Sequence, residues 1–172
     1  PQKERGGRCE DWLERIGSDG PGMQARCTDG GTAFFATGDF SRNDAQPDAL
    51  FYRQPRLVHH LDSSARSEIG RRYAELIRPD SRVLDLMGSW TSHLPDSLPL
   101  ASLTVLGMNA EELERNPRAT ATLMQDLNLQ PTLSFASSSF DAVICTAAVE
   151  YLVDPLTVMR ELHRVLTPGG VL

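Results

Sequence analysis

Apolar side chains recur every four positions between residues 57 and 77, with polar residues filling the intervals. This spacing places one apolar stripe along an amphipathic helix, which the pattern predicts over 57–77. Arg78-Pro79-Asp80 ends the pattern, and His59 and His60 fall in the first turns of the predicted helix. The stripe consists of Leu57, Leu61, Ala65, Ile69, Tyr73, Leu76 and Ile77.

Short apolar runs, which are typical of buried strands, alternate with helical patterns in the rest of the chain. Asn109 can cap a short helix at 110–115, and Asp154-Pro155 opens a longer helix that Pro168-Gly169-Gly170 ends. The alternation predicts an α/β fold, a Rossmann-like and mostly parallel sheet with flanking helices. The predicted strands are 82–87, 102–108, 120–125 and 140–147, with a fifth beginning at 171–172.

The first 50 residues lack this regularity. They contain eight of the 13 glycines and no lasting apolar period. We expect residues 1–50 to form an irregular, partly disordered N-terminal extension with one short strand at 32–40. The α/β domain then covers residues 51–172.

Composition narrows the choice of function. A chain of 172 residues with a formal charge of −6 suits one acidic globular domain, which argues against a nucleic-acid or anionic-lipid surface. No apolar run approaches the ~20 residues that cross a bilayer, and we expect a soluble intracellular protein. Cys9, Cys27 and Cys145 have no C-x-x-C spacing, which predicts neither a zinc site nor a disulfide framework. We expect no metal.

Ligands of parallel α/β sheets bind at the carboxyl ends of the strands, close to the point where strand order reverses. The residues that follow each predicted strand are therefore the candidates for function. They are Gly88 to Trp90, Asn109, Asp126 and Ala148 to Tyr151.

The segments Phe140-Asp141-Ala142-Val143 and Leu152 to Gly170 carry a family landmark: a strand, a loop, a capped helix and a glycine turn in fixed order. From Arg82 to Leu172 the chain resembles the class I S-adenosylmethionine-dependent methyltransferases of the type 11-like group. The resemblance implies S-adenosylmethionine as cofactor and a seven-stranded fold, of which this chain stops in strand five. It implies a small-molecule or protein methyl acceptor. The segments 51–62, VLDLMGSW and QDLN resemble a branch from photosynthetic organisms, which points to the cytoplasm or a plastid.

The family's first motif is degenerate in this chain. It reads acidic-x-Gly-x-Gly-x-Gly in the family, whereas here Asp85 is followed by Met87, Ser89 and Thr91 at the glycine positions. Bulky side chains there narrow the space for the methionine end of the cofactor. The resemblance implies that Asp85, Met87 and Gly88 hold this end.

The other site residues follow from the same resemblance. Asn109 stands where relatives have an acidic residue that binds the ribose hydroxyls, and its amide lacks that charge. Glu150 can act as the base where the acceptor must lose a proton. The implied residues are Met108 and Asn109 for ribose and adenine, Asp126 and Leu127 for adenine, Glu150 and Tyr151 for the acceptor, and Tyr52 and His60 as a cover from the N-terminal side.

Each carboxylate or amide also has a structural interpretation. Asp85 can belong to a core network, Asn109 can cap the helix at 110–115, and Asp126 can start a turn with Asn128. Glu150 can be a solvated loop residue. The alternative function is therefore a non-catalytic, methyltransferase-shaped interaction module that has lost cofactor binding. An incomplete sheet would also leave an edge open to self-association.

Overall fold

The computed structural model of the protein describes residues 40–44 and 46–172. Most of the predicted N-terminal extension, including Cys9, Cys27 and positions 32–39 of the predicted short strand, lies outside the described residues. Within the described part, no helix is both long and apolar enough to cross a membrane.

The described residues form a parallel sheet with flanking helices. The strands are β1 (Ser81–Leu86), β2 (Leu100–Gly107), β3 (Ala121–Met124), β4 (Phe140–Ile144) and β5 (Leu166–Val171). The helices are α1 (Asp48–Phe51), α2 (Ser63–Leu76), α3 (Ala110–Glu114) and α4 (Pro155–Val165), with a 3₁₀ turn at Val149–Tyr151.

The five strands lie in the order β3-β2-β1-β4-β5 and pair in parallel throughout. The order runs outward from β1 to β3 and then reverses, so that β4 pairs with the other side of β1. This arrangement confirms the predicted Rossmann-like fold, which is partial relative to the seven-stranded form. The carboxyl ends of β1 and β4 flank the point of reversal, where this architecture places its ligands.

Alternating residues of β1 contribute to two separate cores, one on each face of the sheet. Leu84 and Leu86 pack with Val158, Leu162 and Val165 of α4. Val83 packs on the opposite face. Asp85 shares that second face by alternation, at the end of the strand, so its carboxylate is placed in an otherwise apolar layer.

Two predicted helix starts are confirmed by side-chain caps. Asn109 Oδ1 accepts a hydrogen bond from Glu112 N at 3.1 Å, and Asp154 Oδ1 accepts one from Thr157 N at 3.2 Å. Pro155 occupies the first turn of α4, where its missing N–H costs no helical bond.

The long amphipathic helix is shorter than the period predicts. It begins at Ser63 because Asp62 caps it, with Oδ1 accepting from Ala65 N at 2.8 Å. The prediction of helix over 57–62 is wrong, and His59 and His60 precede the helix. We call residues 51–61 the strap, since this segment runs across the carboxyl ends of the strands and bonds to them, as described below.

The C-terminal prediction also needs correction. Helix α4 ends at Val165, and β5 begins directly at Leu166, so that Pro168-Gly169-Gly170 lies within the strand rather than in a turn before it. The pairing of β5 with β4 shifts register across this stretch. Such an irregularity accommodates a proline, which has no N–H to give to the ladder, and Gly169 at φ 78°.

Replacing Leu162 with alanine tests the packing of α4 on the sheet. Leu162 is fully buried, and we expect Leu162→Ala to lower the free energy of unfolding by about 2–5 kcal/mol. Leu129→Ala, at a side chain that is 80% exposed, is the matched control and should change it by less than about 0.5 kcal/mol. Urea unfolding followed by circular dichroism measures both, and equal effects would contradict the assigned core.

Candidate functional site

A cavity of about 360 Å³ lies at the carboxyl ends of the strands, between the sheet and the strap. Its size is within the range of small-molecule sites. Ten of the eleven site residues predicted from the sequence line it, and Asn109 does not. The ten are Tyr52, His60, Asp85, Met87, Gly88, Met108, Asp126, Leu127, Glu150 and Tyr151.

Asp85 is the most unusual group in this cavity. Its residue is only 3% exposed, and its Oδ2 atom is buried without a hydrogen-bond partner among the described residues. Burial raises the pKa of this carboxyl to about 7, and a hydrogen bond with Ser92 opposes the rise only in part. A buried polar atom of this kind calls for a partner that the described residues do not provide.

Two glycines allow the loop after β1 to lie directly against β2. A Cβ atom on Gly107 would be 2.3 Å from the carbonyl oxygen of Gly88, and one on Gly88 would be 2.7 Å from Cγ of Asp85. Gly88 N also donates to Leu106 O at 2.8 Å. Any side chain at position 88 would therefore displace the Asp85 carboxylate.

Met87 adopts the left-handed backbone conformation, with φ 55°. It stands at the first glycine position of the family motif, and a residue with a Cβ atom pays about 1–2 kcal/mol for this conformation. The side chain lines the cavity and packs against the core under α4. Position 87 thus has the backbone conformation that favours glycine, although its residue is a methionine.

The side chains of Glu112 in α3 and of Asn116 just after that helix hold the glycine-poor loop. Glu112 Oε2 accepts from Ser89 Oγ at 2.6 Å, and Asn116 Nδ2 donates to Ser89 O and to Ser92 Oγ, both at 2.9 Å. Glu112 and Asn116 are both buried. Sequence reasoning missed these residues, and the available signal was a pair of polar side chains in and just after the short predicted helix.

Glu112 also anchors the strap, because its Oε1 accepts from Arg56 N at 2.6 Å. The carbonyl of Tyr52 accepts from Asn109 Nδ2 at 2.8 Å, and that of Val58 accepts from Trp90 Nε1 at 3.3 Å. The strap is thus fixed at three points along its length. The roles of Tyr52 and His60 toward substrate stay predictions.

Asn109 serves the scaffold through both of its polar atoms, one capping α3 and the other bonded to the strap. The capping interpretation is confirmed. The residue lines a neighbouring, more open groove together with Tyr52, Met108 and Asp126. Its role toward ribose stays a prediction.

Asp126 forms the turn considered for it and also borders the cavity, while its role toward adenine stays a prediction. Its Oδ1 accepts from Asn128 N at 2.9 Å and from Leu129 N at 3.2 Å, which confirms the turn, while the residue also lines the cavity. Asn128 then joins three segments at the cavity mouth: its Nδ2 donates to Asp48 Oδ2 and to Tyr151 O, and its Oδ1 accepts from Val153 N.

The remaining wall follows β4. Thr146 shares a hydrogen bond of 2.6 Å with the hydroxyl of Tyr73 in α2, and burial raises the pKa of Tyr73. Glu150 and Tyr151 lie in the 3₁₀ turn and are exposed at the cavity mouth. Burial raises the pKa of the neighbouring Cys145 thiol to about 11, so this cysteine is not a ready nucleophile.

Aromatic rings form a cluster that sequence reasoning left unassigned. The rings of His59 and Trp90 have centroids 4.6 Å apart, and His93 lies 6.4 Å from His59. All three line the cavity. Among the described residues there is no group of three or more His, Cys, Asp or Glu side chains placed to hold a metal ion.

Comparison with known proteins now adds to the geometry. The family model described as "Methyltransferase domain" matches residues 87–172, which is half of the chain. The chain belongs to this family, among the class I S-adenosylmethionine-dependent methyltransferases. No curated protein sequence matches it.

Solved structures share the fold of this methyltransferase domain at low identity. The [4+2]-cyclase SpnF is 18% identical with a TM-score of 0.54, covering 68% of this chain and 50% of its own. An S-adenosylmethionine-dependent methyltransferase from Mesorhizobium loti is 22% identical with a TM-score of 0.51, covering 63% of this chain and 52% of its own. YcgJ from Bacillus subtilis is 22% identical with a TM-score of 0.50, covering 62% and 48%. The chain therefore spans about half the length of the structures it matches.

Replacing Glu112 tests how the cavity is held. We expect Glu112→Ala to lower the free energy of unfolding by about 1–3 kcal/mol, because it leaves Arg56 N and the Ser89 hydroxyl without their acceptor. Glu114→Gln, an exposed change on the same helix, is the control. Increased amide hydrogen exchange in the strap of the first variant alone would identify Glu112 as the anchor, and unchanged exchange would contradict it.

Burial of Asp85 predicts a specific pH dependence of stability. Its pKa is 3.8 when unperturbed and about 7 in the folded protein, so between these values the unfolded chain has lost a proton that the native state keeps. This group therefore lowers stability as pH rises through that window, and Asp85→Asn should remove the loss. The free energy of unfolding of the variant should equal that of the wild type below pH ~4 and should exceed it by up to about 4 kcal/mol above pH ~7. Urea unfolding across this pH range measures the difference, and a constant difference would refute the assignment.

Proposed function

We propose that this domain binds S-adenosylmethionine in the cavity and transfers its methyl group to a small-molecule or protein acceptor. The single observation that carries the proposal is Oδ2 of Asp85, which is buried without a hydrogen-bond partner in the described part of the chain. It belongs to a residue that borders a cavity at the strand reversal of a methyltransferase-family chain. Family membership supports the cofactor.

The residues present fit this cofactor at both ends. The Asp85 carboxylate provides an acceptor for the ammonium of the methionine end, and the close approach at Gly88 and Gly107 brings backbone rather than side chains to that place. Asp126 and Leu127 offer a polar edge and an apolar face for adenine. When bound, the cofactor supplies an electrophilic methyl group on a sulfonium.

The chain's own part in the reaction is to align donor and acceptor, because displacement at a methyl carbon needs the two in line. The strap covers one side of the cavity, and the 3₁₀ turn with Glu150 and Tyr151 borders the mouth. Hydrogen bonds with Glu112, Asn109 and Trp90 restrict the movement of the strap. The shape of the cavity that would receive donor and acceptor is therefore set before they bind.

Calorimetry with S-adenosylmethionine and S-adenosylhomocysteine tests the proposal. We expect saturable heat with both, and a 10- to 100-fold weaker affinity in Asp85→Ala, roughly the value of a charged hydrogen bond. Glu114→Gln should bind like the wild type. Absence of binding to folded protein would reject the proposed function.

The same titrations have a predicted pH dependence. A cationic ammonium favours the ionised form of Asp85, whose pKa burial raises to about 7. Affinity for S-adenosylhomocysteine should therefore increase as pH rises through about 7 and then level off. Asp85→Asn should bind weakly with no such rise, and an affinity that is independent of pH in the wild type would place the ammonium elsewhere.

The second candidate is a non-catalytic interaction module. It is favoured by one observation, the Met87 side chain that projects from the backbone path of a glycine into the cavity wall. This candidate predicts no cofactor heat in the wild type. If Met87→Gly then binds the cofactor, the methionine side chain is the reason that the wild type does not bind it. The fold itself does not decide between candidates, since it is shared by a [4+2]-cyclase.

A further inference from the structure

The imidazole of His93 borders the cavity in a place that the proposed cofactor residues leave unused. It follows the glycine-poor loop, and its backbone has φ 55°, a left-handed conformation that is costly for a residue with a side chain. Strain of this kind persists only where surrounding contacts impose it. Here the contacts come from α2 and the strap.

Helix α2 has a notch where the His93 backbone docks. Gly70 is the buried residue of that helix, and a Cβ atom on it would lie 3.2 Å from the carbonyl oxygen of His93. The loop thus approaches the helix as closely as a glycine permits. This contact fixes the Cα of His93 and, with it, the origin of the imidazole.

The surroundings of His93 favour its neutral form. Burial lowers the pKa of the imidazole, and the nearby His59 and Arg66 lower it further. His59 belongs to the strap and Arg66 to α2, the two segments that face the ring. A histidine that is unprotonated at neutral pH and open to a cavity is suited to accept a proton.

The neighbouring walls suit a flat acceptor. Trp90 and His59 stack beside His93, and Phe51, Tyr52 and Tyr151 add aromatic surface around the same cavity. Aromatic rings favour stacking on other planar groups. Glu150, the base predicted from sequence, is solvent-exposed in the 3₁₀ turn, whereas His93 is half-buried beside this aromatic surface.

We propose that His93 is the general base of the methyl transfer and that the acceptor is a small phenol. This assignment rests on the proposed function. A bond forms between the phenol oxygen and the methyl carbon, and the carbon–sulfur bond breaks with its electron pair left on sulfur, which becomes a neutral thioether. The hydroxyl proton passes to a ring nitrogen of His93 and from there to water.

Two acceptors of different acidity test the assignment. Phenol keeps its proton at neutral pH, whereas 2,4-dinitrophenol is already ionised and needs no base. With S-adenosylmethionine as donor, we expect His93→Gln to lose about 100-fold or more of kcat on phenol and little on 2,4-dinitrophenol. His163→Gln, at an exposed position on α4, is the control and should match the wild type on both.

The outcomes separate the possible roles. If His93→Gln loses the same share of kcat on both phenols, His93 is a structural residue. If it loses none, the base lies elsewhere. If the wild type methylates neither phenol, phenols are excluded as the acceptor class. Each overturns the assignment. If S-adenosylhomocysteine does not bind, the proposed function fails and the assignment fails with it.

A measurement without cofactor or acceptor completes the test. Carbon-13 labelling of the histidine rings, with His93→Gln to identify the signal, gives the titration of His93 by nuclear magnetic resonance. We expect a midpoint below the ordinary value of 6.5, because burial and the nearby His59 and Arg66 lower the pKa of His93. Gly70→Ala should move the signal by displacing the loop. A ring that keeps its proton above neutral pH would overturn the assignment even where methyl transfer is observed.

Discussion

The structure depends on bringing a carboxylate to the inner end of a buried parallel strand. Asp85 completes the apolar run of β1 between β2 and β4, so its charge is poorly solvated and its pKa rises to about 7. Gly88 and Gly107 allow the following loop to close over the end of β2, where a side chain at position 88 would collide with the carboxylate. The fold tolerates the free-energy cost of burying this carboxylate because the two apolar cores on either side of β1 hold the strand in place.

Polar contacts from α3 and from Asn116, which follows that helix, substitute for the glycines that the motif lacks. In a loop of several glycines, backbone conformation alone brings the chain close to a ligand. Here Met87 keeps the left-handed conformation of the first position, while Glu112 and Asn116 hold Ser89 and Ser92 by hydrogen bonds. Because Glu112 also bonds the strap, the loop and the cover of the cavity share one buried carboxylate. A substitution that moves the loop is therefore expected to move the strap as well, and the reverse also holds.

The cavity has two chemically different sides. Asp85 and Asp126 provide carboxylates near the strand ends, whereas His59, Trp90 and His93 form an aromatic side with two imidazoles. The proposed cationic cofactor would be matched by the carboxylate side, and the proposed phenol by the aromatic side. This division is the physical basis for proposing that Asp85 binds the ammonium and that His93 takes the proton.

Sequence alone determined the order of strands and helices, because alternation of short apolar runs with capped amphipathic segments is a local property. It also identified Asp154 and Asn109 as caps, and most residues that it singled out after the strands line the cavity, since parallel strands end at one edge. The start of α2 escaped it, because Leu57 and Leu61 continue the helical period while the backbone of the neighbouring Arg56 and Val58 bonds to Glu112 and Trp90 far along the chain. Only the tertiary structure revealed the contacts of Glu112, Asn116 and His93: a hydrogen bond or a ring contact between segments tens of residues apart leaves no periodic trace in the sequence.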